Sequence, residues 1–186
     1  MTALARRPEP LVPDIELTRM RRRHLRKILS IESRVYPRPW SASLFLSELS
    51  QRGSRSYLVA RHRGEVVGYA GMMFAATEAH VTNIAVDPEW HGLKIGTRLL
   101  LAIVTEAIAR GAHTVSLEVR VSNGTAQAMY EKFGFATTGV RRGYYVETNE
   151  DALVMVADAV RSTDYRLRLA AIRAEVDAAL GGRRDA

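Results

Sequence analysis

Hydrophobic residues change their spacing several times along the chain, and each change marks an element. Ile15 and Leu17 alternate with polar neighbours over Asp14 to Thr18, which predicts a short strand. Met20, Leu25, Ile28 and Leu29 then fall on one helical face, with Arg21, Arg22, Arg23, Arg26 and Lys27 around the rest. Tyr36-Pro37-Arg38-Pro39-Trp40-Ser41 breaks the pattern as a loop, and Ser41 suits the N-cap of a second helix through Leu44, Phe45 and Leu49. The period then shortens. Ser56 to Arg61, Glu65 to Phe74 and His80 to Val86 are rich in β-branched and aromatic residues, and Arg63-Gly64 separates the first two, so an antiparallel meander follows.

The helical period returns at Leu99, Leu100, Ile103, Val104, Ala107 and Ile108 and stops at Gly111. Val115, Leu117 and Val119 alternate as a strand. Gly124 to Lys132 reads as a short helix ended by Gly134, and Phe135 to Tyr145 with Asp151 to Val156 reads as a hairpin. Residues 1–13, punctuated by Pro8, Pro10 and Pro13, read as a flexible tail. After residue 158, Tyr165, Leu169, Ile172, Val176 and Leu180 predict an amphipathic helix before a polar end. Its stripe suits packing on the domain or a dimer or partner contact. The expected division is a tail over 1–13, one mixed α/β domain over 14–158, and a helix with a polar tail over 159–186.

Composition narrows the function classes. A chain of 186 residues, 47% hydrophobic, can bury one good core but not two ordinary ones. The longest apolar run, Leu99 to Val104, is too short for a bilayer, so a soluble cytoplasmic protein without membrane partners is expected. With no cysteine there is no disulfide, thiolate metal site or cysteine nucleophile. His24, His62, His80 and His113 lack metal-ligand spacing and read as structural or exposed, so no metal is expected. The formal charge of +7 favours an anionic partner: nucleic acid, an acidic peptide or a phosphate-bearing cofactor.

Three segments carry candidate chemistry. Asn83 to Thr97 runs from a strand through a turn with Gly92 and Gly96 into the long helix, a junction that presents unpaired N–H groups to an anion. It lacks the spacing of a Walker loop and the glycine triplet of a dinucleotide fold. Alternatively, those glycines merely relax a turn. Strand alternation turns Val115, Leu117 and Val119 to one face and Ser116, Glu118 and Arg120 to the other. Glu118 is then either a presented carboxylate or a solvated one paired with Arg120, and Asn123 a helix N-cap. In the third segment, Tyr130 near the end of a short helix would ordinarily be a packing residue.

Taken in this order, NIAVDPEW, LEVRVSN, AMYEKFGF and RRGYY, with PWS before them, resemble the GNAT (GCN5-related N-acetyltransferase) superfamily over roughly Ile15 to Val156. Within it they resemble the bacterial ribosomal-protein-alanine N-acetyltransferases, the RimI type. The resemblance implies a mostly antiparallel sheet of about seven strands, splayed in the middle and flanked by about four helices, here with an extra C-terminal helix. It implies acetyl-CoA as co-substrate. Ile84, Ala85 and Val86 would meet its pantetheine arm and thioester, Gly92, Leu93, Lys94, Ile95, Gly96 and Thr97 its pyrophosphate, and Asn123 would hold the cofactor. His91 and Lys94 depart from the family pattern, Lys94 replacing a glycine where backbone must approach closely.

The same resemblance implies direct transfer in a ternary complex to the N-terminal amine of a protein, the N-terminal alanine of small-subunit ribosomal protein eighteen. Glu118 would act as general base, Tyr130 as general acid and the Val86 backbone as polariser of the carbonyl. An α-amino group, with a reference pKa near 8, is far cheaper to deprotonate than a lysine near 10.4, so a single carboxylate suffices. Trp40, Arg141, Tyr144 and Tyr145 are candidates for the acceptor groove, with an ordinary arginine-rich turn and aromatic staple as the other reading. Alternatives are the same fold acting on a lysine or small amine, or a non-catalytic basic nucleic-acid-binding module. The Arg19 to Lys27 cluster lacks aromatic interleaving, so nucleic acid is not the expected partner. A monomer or weak dimer is expected.

Overall fold

A computed structural model describes residues 14–181; the proline-rich start and the last five residues lie outside the described part. Strand β1 (Glu16–Arg19) leads through a 3-10 turn to α1 (Leu25–Val35) and α2 (Ala42–Ser50). Ser41 caps α2, its hydroxyl accepting the Leu44 amide at 3.2 Å. The meander β2 (Arg55–His62), β3 (Glu65–Ala75) and β4 (Glu78–Val86) follows, then α3 (Ile95–Ala109), β5 (Thr114–Arg120), α4 (Gly124–Lys132), β6 (Ala136–Tyr145), β7 (Glu150–Ala157) and α5 (Thr163–Gly181). The seven strands form one sheet in the order β1-β2-β3-β4-β5-β7-β6. Every neighbouring pair is antiparallel except β4 and β5. The mixed, mostly antiparallel sheet with its C-terminal helix is the architecture that the sequence implied.

Alternation along the strands divides the core between the two faces of the sheet. Val67, Ala70 and Met72 of β3 join Leu99, Leu100, Ile103 and Val104 of α3 in one apolar layer. Their neighbours Val66 and Tyr69 join Ile28 and Ile31 of α1 and Phe45 of α2 in the other. On the α3 side, Tyr165, Leu169, Ile172 and Val176 of α5 are buried in the same cluster. Leu169, Ile172 and Val176 each contribute roughly 1.5–3 kcal/mol on burial, so α5 is held firmly on the domain.

Where β4 meets β5, two features open the sheet. Their parallel pairing covers only Glu78, Ala79 and His80 against Thr114, Val115 and Ser116. Immediately beyond, β4 carries a bulge against β3: Met72 pairs with Val81 and Gly71 with Asn83, leaving Thr82 as the surplus residue. A bulge bends its strand and increases local twist, so β4 turns away from β5. Gly71 opposite the bulge leaves no room for a side chain. A Cβ there would lie 2.1 Å from Tyr57 Cε1 and 2.6 Å from Asn83 Oδ1.

Candidate active site

The gap between β4 and β5 is edged by main-chain groups. Asp87 N donates to Val67 O at 2.8 Å, so antiparallel alternation directs the groups of Asp87 and Ala85 to β3 and those of Ile84 and Val86 to the gap. Two side chains mark that edge. Tyr36 Oη donates to Ile84 O at 2.8 Å, and His91 Nε2 donates to Val86 O at 3.0 Å. Ala85 is buried among α1, α2 and β3.

Glu118 projects from β5 just past the last β4–β5 pair. Its carboxylate is bound from both sides, Oε2 by His80 Nε2 at 3.0 Å and Oε1 by Arg141 at 3.1 Å, and its side chain is 10% exposed. The other nitrogen of His80, Nδ1, lies 2.9 Å from Ser116 Oγ. With the proton on Nε2, His80 faces a carboxylate that can only accept, and in that neutral tautomer Nδ1 accepts from the serine. The pairing with Arg120 weighed from sequence is not formed. Arg120 instead binds Glu147 and Glu150 and stacks over Tyr145 at 3.7 Å. His80, taken from the sequence as structural or exposed, proves to be the nearest partner of the candidate base.

Tyr130 is buried on α4 against Phe135. Burial, then the nearby Tyr145, push its phenol above the usual range, so it stays protonated at neutral pH. Tyr36 is raised in the same way by burial, with Tyr130, Glu32 and Tyr145 as further contributors. Tyr145 is pushed up to about 12, mainly by burial, with Arg120 lowering it and Tyr144 and Glu118 raising it. Tyr145 thus lies within electrostatic reach of both Glu118 and Tyr130.

At the far end of the gap, α3 begins without a side-chain cap. Its N-cap is Lys94, with φ +56°, after Gly92 at +78°. The first intrahelical bond over the cap runs from Arg98 N to Lys94 O, so helix geometry leaves the amides of Ile95, Gly96 and Thr97 free of intrahelical partners. Gly92, Leu93 and Lys94 are exposed, which suits an anion arriving from solvent. A left-handed lysine costs about 1 kcal/mol, the physical reason a glycine would be easier there. The Lys94 ammonium does not reach forward from the loop; it pairs with Glu175 of α5, which also pairs with Lys132. Lys132 first and then Lys94 hold the Glu175 carboxyl down to about 2. Asn123 caps α4, its Oδ1 accepting Ala126 N at 3.1 Å. Behind the loop, buried Asp87 binds Arg34 at 2.5 Å and Lys27 at 3.5 Å, tying the end of β4 to α1.

Two lips flank the mouth. One is the loop from Tyr36 to Trp40, with Trp40 packed on Phe45 at 5.3 Å. The other is the end of β6, where the register against β7 shifts between Arg141 and Tyr145 and Gly143 takes φ +57°. That irregularity turns Arg141 towards Glu118 while Tyr144 stays exposed, its ring 5.5 Å from Arg141. The Glu147 carboxyl is held low first by its own amide and then by Arg120, and Arg38 of the opposite lip contributes as well.

Residues 25–135 match the Acetyltransferase (GNAT) family. The chain is 38% identical over 136 residues, 73% of its length and 90% of the relative's, to a Bacillus subtilis (strain 168) protein assigned provisionally as a ribosomal protein bS18-alanine N-acetyltransferase. It is 38% identical over 127 residues, 67% of its length and 84% of the relative's, to the Escherichia coli (strain K12) ribosomal protein bS18-alanine N-acetyltransferase. The crystal structure of the Escherichia coli ribosomal-protein-S18-alanine N-acetyltransferase superposes with a TM-score of 0.72 at 32% identity, covering 78% of this chain and 94% of that one. With its split sheet, its open helix start and these matches together, the chain belongs to the acetyltransferase (GNAT) family.

Proposed function

We propose that this enzyme transfers the acetyl group of acetyl-CoA to the α-amino group at a protein N-terminus, with the N-terminal alanine of ribosomal protein S18 as its acceptor. The relatives' names support the acceptor class. The observation that carries the chemistry is the Glu118 carboxylate, held by His80 and Arg141 at the mouth of the gap.

The residues fit the proposed co-substrate. Uncapped amides at the start of α3 suit a pyrophosphate, and the Ile84–Val86 edge suits a thin amide-bearing arm. The bound thioester supplies an activated acetyl group. Glu118 accepts the proton of the incoming ammonium, directly or through one water, while the neighbouring His80 and Arg141 hold the carboxylate in place. Removing a proton from an amine of pKa near 8 is a small task at neutral pH, whereas a lysine would need over two units more. Tyr130, kept protonated by burial, donates to the departing thiolate. The main chain at Val86 faces the gap, where it can polarise the reacting carbonyl. Arg38, Arg141 and the tyrosines of the lips suit an uncharged or acidic peptide better than a polyamine.

The test uses acetyl-CoA with short peptides beginning with Ala, Ser or Met, and with N-terminally blocked peptides holding an internal lysine. Mass spectrometry then reads the acetylated position. Acetylation of the α-amine of the alanine peptide is the expected result; modification of the blocked peptides would overturn the assignment of acceptor.

A further inference from the structure

Glu32 is a charged residue that this chemistry leaves unused. It lies on α1 with no exposed surface, its Oε2 accepting Trp40 N at 2.7 Å and its Oε1 buried with no partner among the described residues. Burial pushes its carboxyl up to about 7, the Trp40 amide opposing the rise. A buried carboxyl is costly to keep, and in this position it does two things at once. Its main-chain carbonyl accepts Tyr36 N at 2.9 Å while its side chain accepts Trp40 N. One residue therefore brackets the whole lip. Between those two amides stand Pro37 and Pro39, which have no N–H, so Arg38 is the sole donor the bracket leaves over. From the bracketed loop, Tyr36 reaches Ile84 O on the gap edge and Trp40 packs on Phe45.

We infer that Glu32 is a positioning residue for acceptor binding: by accepting both Tyr36 N and Trp40 N it fixes the acceptor lip over the gap edge of β4. The inference rests on the proposed function for its acceptor, though not for its geometry. What the bracket needs from the side chain is a hydrogen-bond acceptor at the position of Oε2, and a glutamine carbonyl supplies that too. Leucine fills similar space and supplies none. Replacing the side chain leaves the main-chain bond to Tyr36 in place, and with it the Tyr36 contact to Ile84 O on the acetyl-CoA edge, so the effect falls on the acceptor.

The experiment compares wild type with Glu32→Leu and Glu32→Gln. It measures KM for an alanine-starting peptide, KM for acetyl-CoA, and hydrogen exchange of the Trp40 amide in the full chain. In Glu32→Leu the peptide KM should rise about tenfold and Trp40 exchange should quicken by at least that factor. KM for acetyl-CoA should stay within about twofold, and Glu32→Gln should restore both altered quantities. A leucine variant with fast exchange but unchanged peptide KM would overturn the inference, as would equal increases in both KM values or a glutamine that fails to rescue. Should wild type acetylate no peptide, the functional reading fails by itself. Trp40 exchange then decides the bracket by itself, with slow exchange in Glu32→Leu sinking it.

Discussion

His80 Nε2 stands 3.0 Å from Glu118 Oε2, one residue from β4 and one from β5, at the point where those strands cease to pair. The contact spans the fork and meets the carboxylate from the strand opposite. Glu118→Gln should lower kcat by about 100-fold or more with little change in acetyl-CoA binding. His80→Gln should lower kcat about tenfold, because orientation is lost while the carboxylate remains. Steady-state kinetics beside calorimetric titration with coenzyme A separates the two effects; wild-type turnover in Glu118→Gln would refute its role.

Tyr130→Phe removes the candidate proton donor and keeps the buried ring. Turnover should fall about 100-fold while thermal unfolding stays close to wild type. A large loss of stability with turnover preserved would identify Tyr130 as a packing residue instead.

Lys94 bears a left-handed backbone where glycine is free of strain. Lys94→Gly should tighten acetyl-CoA use, lowering its KM a few-fold with kcat unchanged. The lost pair with Glu175 is solvent-exposed and so contributes little. A higher KM would show that the lysine charge outweighs the relief of strain.

Gly71→Ala puts a methyl group into the side chains of Tyr57, Asn83 and Thr82. The expected loss of stability is about 3 kcal/mol, read by urea denaturation, with activity lost as the bulge is displaced. A variant with wild-type stability would mean that the bulge relaxes freely.

Glu32 binds its proton more tightly in the folded chain, near 7 against 4.5 when unfolded. That stabilisation is complete below 4.5 and is lost as pH rises through about 7. Glu32→Gln carries no titrating group, so its stability relative to wild type should increase by up to about 3 kcal/mol between pH 4.5 and 8. Parallel urea titrations at both ends of that range check the sign, and a constant difference would contradict the raised value.

Local pattern reaches the elements well, because helix caps, glycine stops and strand alternation act within a few residues. Gly124 to Lys132 is a helix with the bounds read from sequence, and alternation put Glu118 on the face opposite Leu117. Ser41 and Asn123 act as the caps their side chains suggest. What escaped depends on register between distant segments. His80 meets Glu118 through a parallel pairing three residues long, and nothing near His80 encodes it. The surplus residue Thr82 shows only once β3 is laid beside β4. Glu32 occupies a helical position next to the apolar Ile31, and the buried face was read from its apolar members alone. The tie from Lys94 to Glu175 joins the family-like region to a helix outside it. A carboxylate on an otherwise solvated helix face offers no local sign of such a bond.

The slot between β4 and β5 exists because one strand contains a residue its neighbour cannot match. Its width is thus set by counting residues along the backbone, whereas the rim is finished by side chains such as those of Trp40 and Tyr144. Substitutions among those side chains leave that count untouched, whereas an insertion or deletion near Thr82 would remove the bulge that parts the strands.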